Sequence, residues 1–298
     1  MATILTITAN PLLDHLADAT IRPGEVHRVE RLAAVAGGKG LNVARVLAAH
    51  GHRAIAVFFA GGRHGETLAE LAASDGLEPV PVATAASTRI GFLAVDPYTG
   101  ATTSLMEQGF RVTARENGAL LTAVRRRIAE ADLVIACGSV PDPACAALWR
   151  LVCDLCANTG KICWLDSYGP AMDAALAGPH PPALVKPNRQ EYGRGGRRWA
   201  APAELHLSDG AGAIKVRTPQ IRLVVTPPTI KERNPVGSGD CYVAGLAHAR
   251  LSGWNLERQI AWAVAAGAAN AARSDVARIG PDDIAPLADR VRFEPDDR

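Results

Sequence analysis

Five short β-prone runs, each apolar along its length and each followed by a stretch with helical spacing, set the tightest limit on what this chain can fold into. They are TILTIT from Thr3, AIAVFF from Ala54, DLVIAC from Asp132, KICWLD from Lys161 and ALVKPN from Ala183. A strand with one face in water alternates apolar and polar residues, and these do not. They suit central strands of a parallel sheet covered by helices on both sides. The predicted fold class is therefore α/β, a three-layer α/β/α core around a mostly parallel central sheet, with residues 1–298 read as one domain.

Two stretches fall outside that alternation. Leu12 to Val35 contains Pro23-Gly24, and IGFLAVDPYTGATTSLM from Ile90 has two β-prone runs flanking the turn-rich Asp96 to Gly100. Segments of about 12–35 and 88–107 thus read as a small β-sheet lid inserted in the core, with Leu93 as an apolar lid position. A lid over the carboxyl edge of the sheet suits the place where open α/β sheets bind ligands. GRGGRRWAAP, Gly193 to Pro202, has no periodicity and reads as a surface loop.

Composition narrows the function. With 48% hydrophobic and 21% charged residues the chain is not disordered, and 32 Lys plus Arg against 30 Asp plus Glu leaves too little excess charge for a nucleic-acid-binding face. The N-terminus lacks a basic leader, and no apolar run approaches the roughly 18 residues of a membrane span. A cytoplasmic protein is expected, and six cysteines in so long a chain fit reduced thiols. Cys153 and Cys156 form a C-x-x-C without a second pair or matching histidines, and read as helix-face residues rather than zinc ligands.

Two motifs bear on chemistry. In AGGKGLNVARVLAAHG, Ala36 to Gly51, glycines lead into an Ala-rich helix whose first amides favour an anion. It is no P-loop, because Gly40 follows the lysine. The chain has only five lysines, and two of them, Lys39 and Lys186, sit in Gly- or Pro-containing turns where a compact charge reaches a phosphate. An ordinary glycine-rich turn before a helix accounts for the stretch equally well. In NPVGSGDCYVAGLAHAR, Asn234 to Arg250, Gly237, Ser238 and Gly239 run into Asp240 and then a helix. Small residues let successive amides converge on one anion, and an Asp beside them suits a general base for phosphoryl transfer. The competing reading makes Asp240 a helix N-cap.

Together and in this order, the two motifs resemble the signatures of the PfkB, or ribokinase-like, carbohydrate kinases. TANPLLD, PGEVHRV, STR, CGSVP, VKPNRQE and AVAAGAANA extend the likeness toward the branch of 1-phosphofructokinases and tagatose-6-phosphate kinases. The resemblance implies a ribokinase-like fold and an ATP- and Mg2+-dependent sugar kinase. It implies that Asp240 is the base, with Gly237, Ser238 and Gly239 forming its anion hole. Asp14, Gly38, Lys39, Asn42, Arg89 and Ser139 would bind the sugar phosphate, Arg89 through the existing phosphate. Lys186, Asn188, Ser208, Gly210, Gly212, Val236, Val264 and Ala268 would border ATP. Asn188 and Glu191, in N-x-x-E spacing, would handle magnesium indirectly through water or phosphate. It further implies a homodimer clasped through the lids.

The chain also departs from the family pattern. Between VKPN and GSGD it is shorter by about one helix with its loop. Asp209 puts a carboxylate near the expected phosphates, and IGFLAV after Arg89 lacks an Asn close behind. Three functions are thereby expected to compete: a kinase of a phosphorylated ketohexose, a kinase of an unphosphorylated sugar or nucleoside, and a sugar-phosphate binder that has lost catalysis.

Overall fold

The computed structural model describes residues 1–296. In chain order its elements are β1 (Thr3–Thr8), β2 (Leu12–Asp18), β3 (Ala33–Gly37), α1 (Lys39–Ala49), β4 (Arg53–Ala60), α2 (Gly62–Ser74) and β5 (Glu78–Ala83). There follow β6 (Arg89–Val95), β7 (Thr102–Met106), α3 (Ala114–Arg127), β8 (Leu133–Cys137), α4 (Leu148–Asn158), β9 (Cys163–Asp166), α5 (Gly169–Leu176), β10 (Leu184–Val185) and α6 (Arg189–Gly195). The chain ends with β11 (Glu204–Leu207), β12 (Ile214–Arg217), β13 (Arg222–Thr226), α7 (Ser238–Leu251), α8 (Leu256–Ala271), α9 (Pro281–Ala288) and β14 (Arg292–Pro295).

All five apolar runs lie in one sheet of order β14-β13-β12-β11-β10-β9-β8-β1-β4-β5. From β5 to β11 every pairing is parallel, and β12, β13 and β14 continue it antiparallel. Neighbouring residues of β1 serve opposite cores, because side chains alternate across a strand. Ile4 packs with α7 and α8, whereas Leu5 and Ile7 pack with α3 and α4. Burying each such side chain contributes roughly 1.5–3 kcal/mol. Trp149 of α4 is buried, and its indole N–H reaches Gly138 O at 3.2 Å and Ser167 Oγ at 3.0 Å, tying the helix to the loops after β8 and β9.

A second sheet, β3-β2-β6-β7, has β2 parallel to β6 and antiparallel pairs outside them. Its strands come from the two stretches that broke the alternation. Residues 26–30 form no strand, since the chain there runs through turn and coil before β3. Leu93 is only 2% exposed and packs into the main core with Val95, while Leu105 and Met106 of β7 stand 67% and 60% exposed. One face of the small sheet is thus covered by its own molecule.

Gly193 to Pro202 is not simply a surface loop. Its first residues end α6 and a 3₁₀ turn follows, in which Trp199 is buried, stacks on Tyr192 and donates to Tyr192 O at 2.9 Å. Cys153 and Cys156 lie on the buried face of α4, with Cys153 Sγ 3.8 Å from Cys163 Sγ. Among the described residues no helix is long and apolar enough to cross a membrane.

Candidate active site

β1, β8, β9, β10 and β11 all point their carboxyl ends the same way, and Thr8, Cys137, Lys186 and Ser208 at or just beyond those ends line one cleft of 1210 Å³. Pockets for a single small ligand measure roughly 300–1,000 Å³. This cleft has room for two. The small sheet contributes Leu12, Asp14, Arg89 and Met106 to its wall.

Two helices begin at the cleft, and each is preceded by a glycine that no other residue replaces without strain. Gly38 before α1 has φ +125°, and a Cβ there would lie 2.8 Å from Thr8 Cγ2; Gly237 before α7 has φ +83°, and its Cβ would lie 2.7 Å from Val276 Cγ1. Neither helix start is capped by a side chain. Asp240 is therefore not the N-cap of α7. Its Oδ2 instead accepts a 2.8 Å hydrogen bond from Asn42 Nδ2 of α1. The Ser238 and Asp240 amides donate back to Pro235 O and Gly237 O, whereas those of Gly237 and Gly239 make no protein hydrogen bond among the described residues. A Cβ on Gly239 would come within 2.9 Å of Lys186 Nζ, so the bare glycine brings that ammonium up to the helix start.

Electrostatics single out Asp240. It is 5% exposed, and burial pushes its carboxyl up to about 6 against the pull of Lys39, Lys186 and the Asn42 hydrogen bond, with Asp166 adding to the rise. Burial opposes the charge on Lys39, yet the carboxylates of Asp166, Asp240 and Glu191 outweigh it and raise the ammonium's pKa. Burial likewise raises the Asp14 carboxyl, against the His15 amide and the His15 and Arg89 charges.

Of the residues expected to form the site, all but Gly212 line this cleft. Gly212 closes a turn by donating to Asp209 O at 2.8 Å. Arg89 is held by three backbone carbonyls, with Nε on Pro11 O at 3.3 Å, Nη1 on Glu107 O at 2.9 Å and Nη2 on Asn10 O at 3.1 Å. A guanidinium has five N–H groups, so two remain. Ser139 Oγ accepts from Asn10 Nδ2 at 3.0 Å. Asn188 and Glu191 cap each other reciprocally, each amide on the other's side-chain oxygen at 2.9 Å, which leaves Glu191 Oε1 unspent 4.0 Å from Lys39 Nζ. Ser208 Oγ lies 3.4 Å from Lys186 Nζ, and the Asp209 carboxylate is paired with Arg189 at 2.7 Å.

Several lining or adjoining groups escaped the sequence reading. Asp166, the last residue of β9, binds Lys39 at 3.1 Å; Arg45 donates to Asn42; Tyr168 lies beneath Lys39 with its ring centroid 6.0 Å away. Thr8 Oγ1, Asn10 Oδ1 and Asp166 Oδ2 are buried without a hydrogen-bond partner, and all three cluster at this edge of the sheet. Buried polar atoms without partners call for one, and a polar ligand or water in the cleft would supply it. The residues fit a nucleoside triphosphate: two unspent amides and Lys186 at an uncapped helix start, beside an apolar wall of Ile214, Val236, Val264 and Ala268. They fit a magnesium ion only as one held largely by phosphate and water, since no group of three or more metal-ligating His, Cys, Asp or Glu exists among the described residues.

A mostly parallel α/β sheet with a small second sheet at its ligand-binding edge is a ribokinase-like fold. Residues 7–194 and 208–282 match the pfkB family of carbohydrate kinases, and the chain belongs to that family, an ATP-dependent sugar kinase. The stretch left unmatched between them, residues 195–207, lies between VKPN and GSGD. Among solved structures, a possible 1-phosphofructokinase from Thermotoga maritima superposes with a TM-score of 0.90 at 20% identity, covering 99% of each chain. Phosphofructokinase-2 from Escherichia coli in complex with fructose-6-phosphate gives 0.83 at 25% identity over 97% of this chain and 99% of that one. A putative phosphofructokinase from Staphylococcus aureus gives 0.79 at 25% over 98% of each.

Proposed function

We propose that this kinase transfers the γ-phosphoryl group of ATP to a hydroxyl of a phosphorylated ketohexose of the fructose 1-phosphate or tagatose 6-phosphate type, with Asp240 as general base. The observation that carries the reading is Arg89. Its guanidinium is half-buried in the same cleft as Asp240, with three N–H groups anchored to backbone and two left for a phosphate. The fructose-6-phosphate complex of the Escherichia coli relative supports a ketohexose phosphate.

ATP supplies the electrophilic phosphorus. Asp240 takes the proton of the attacking hydroxyl, and a carboxyl near 6 is well poised for that at neutral pH. The Gly237 and Gly239 amides, with Lys186, neutralise charge that builds on the transferring group. Asp14, Gly38, Lys39, Asn42 and Ser139 orient the sugar, while Ser208, Gly210, Val236, Val264 and Ala268 border the nucleotide. Asn188 and Glu191 would hold a Mg2+ ion indirectly, through water or phosphate, and the ion would offset phosphate charge. Residues 1–298 act as one kinase domain, with the small sheet as its lid and as the contact of a homodimer. Six free cysteines suit a reducing cytoplasm.

The anchoring of Arg89 by carbonyls also gives it a structural reason to exist, which favours an unphosphorylated sugar as the second reading. A coupled ADP-release assay over fructose 1-phosphate, fructose 6-phosphate, tagatose 6-phosphate, the free hexoses and nucleosides separates the two. Turnover confined to a hexose phosphate is expected, and turnover confined to free sugars or nucleosides overturns the assignment.

A further inference from the structure

Arg45 sits one turn beyond Asn42 on α1, is 5% exposed and has its guanidinium tied on several sides. Nη1 donates to Asn42 Oδ1 at 2.9 Å, Nη2 to Ala36 O at 2.5 Å and Nε to Asp75 Oδ2 at 2.7 Å. The other Asp75 oxygen is held by Arg278 at 2.9 Å. A hydrogen-bonded line therefore runs from Arg278 through Asp75, Arg45 and Asn42 to Asp240.

We propose that Arg45 is a positioning residue for phosphoryl transfer: by donating to Asn42 Oδ1 it fixes which end of the Asn42 amide faces Asp240, so that Oδ2 is held and Oδ1 takes the substrate proton. The argument is one of polarity. Asn42 can present either a donor or an acceptor to Asp240, but a guanidinium only donates. With Arg45 in place the amide oxygen is claimed, and the NH2 must point at the carboxylate. Without it the amide is free to turn, and an oxygen facing Asp240 is tolerated only when that carboxyl is protonated, the form that cannot act as a base. Asp240 Oδ1 makes no hydrogen bond among the described residues and belongs to a residue lining the cleft. The proton of the acceptor hydroxyl passes to Oδ1 as its oxygen bonds to the γ-phosphorus of ATP, while the bond from that phosphorus to the β,γ-bridging oxygen breaks and ADP leaves with the electron pair.

The charges that also face Asp240 are Lys39 on α1, Asp166 on β9 and Lys186 after β10; those facing Arg45 are Asp75 after α2 and Arg278 after α8, with the Cys241 thiol nearby. None of these reports the polarity of an amide. That is the task left to Arg45.

This inference rests on Asp240 being the base, and the experiment separates the two. Arg45→Lys keeps a cation opposite Asp75 but loses the fork that reaches Asn42. Its kcat is expected to fall roughly ten-fold or more with KM for both substrates within about three-fold, and the acid limb of kcat to move up by about 0.5 to 1 pH unit. Asn42→Ala should move the limb the same way, and the double variant no further, because the two residues act in series. A folded Arg45→Lys enzyme whose acid limb stays where the unmutated enzyme has it overturns the inference, whatever its kcat. Should near-ultraviolet circular dichroism show that Arg45→Lys does not fold, the pair Arg45→Met with Asp75→Asn removes both buried charges together and is read by the same limb. Asp240→Asn is assayed alongside. Substantial activity there removes the base itself, whereas loss there with an unmoved limb in the Arg45 variants removes only the role of Arg45.

Discussion

Lys39 Nζ, at the head of α1, lies 3.1 Å from Asp166 Oδ1 at the end of β9, so the lysine expected to meet the substrate is already engaged by a buried carboxylate. Asp166 is 2% exposed, and its second oxygen has no partner. Such an arrangement holds Lys39 upright and charged while placing a negative field beside Asp240. Removing that field should make Asp240 easier to ionise. Asp166→Asn is accordingly expected to move the acid limb of kcat/KM down by about 0.5 to 1 pH unit, opposite to the Arg45 variants. A limb that stays put or rises shows that the base does not feel this charge.

Asp240 ties activity to an expense in stability. Its folded-state pKa, about 6, lies above the 3.8 of an ordinary aspartate, so the native state binds the proton more tightly than the unfolded chain. By linkage, stability falls as pH rises from about 4 to about 6, and a penalty on the order of 3 kcal/mol stands in full at pH 7. Asp240→Asn removes the charge. We expect kcat to drop by about 10² or more and Tm at pH 7.5 to rise by a few degrees, with the Tm difference closing near pH 4. Pairing calorimetry with the ADP assay checks both, and an Asn variant that is active or less stable at pH 7.5 contradicts the assignment.

How far the sequence could be read follows from the range of the interactions involved. β1, β4, β8 and β9 were legible because a strand buried on both faces shows a local apolar run. β5 was hidden by Pro79 and Pro81, which the sheet tolerates because β5 is its edge. The antiparallel extension β12 to β14 was missed, since IKVR and RFEP carry charge on residues that face solvent. In the site, the glycines and Asp240 announced themselves by type and spacing. Asn42 meets Asp240 across 198 residues and Arg45 meets Asp75 across 30, and no local pattern encodes either. Asp166 had a usable signal: it is the last residue of an apolar run, where a parallel strand delivers side chains to the ligand edge.

Under the proposed function, Arg89 is the residue that would read the charge of the substrate. Truncating it removes the donors left for a phosphate and also unhooks the carbonyls of Asn10, Pro11 and Glu107, so a loss of stability is expected alongside the kinetic effect. The informative quantity is the ratio between substrates. Arg89→Lys should raise KM for a hexose phosphate roughly ten-fold or more, with KM for ATP within about three-fold, because an ammonium cannot reproduce a charge-assisted fork worth about 1.5–3 kcal/mol. Equal losses on phosphorylated and free sugars would move the assignment to the second reading.

The small sheet predicts its own assembly. Its inner face is spent, with Leu93 and Val95 in the main core, and a charge at Leu93 would wreck that packing rather than report on an interface. What stays open is the outer strand β7, where Leu105, opposite Phe92 of β6, is exposed near Ile90, while Met106 turns to the other face and lines the cleft. Among the described residues β7 pairs only with β6, so its other edge presents backbone groups without strand partners as well as apolar side chains. Exposed edges of this kind are normally blunted or covered. A second copy of the same sheet would cover both edge and side chains, and it would steady Asp14 and Arg89, which β2 and β6 carry into the cleft. Light scattering at micromolar concentration is expected to give twice the 31.2 kDa chain mass, and Leu105→Asp to give the monomer with a raised KM for the sugar phosphate. If the unmutated protein is instead a monodisperse, fully active monomer, β7 is covered by nothing and the clasp is wrong. A dimer that survives Leu105→Asp places the contact elsewhere on the surface.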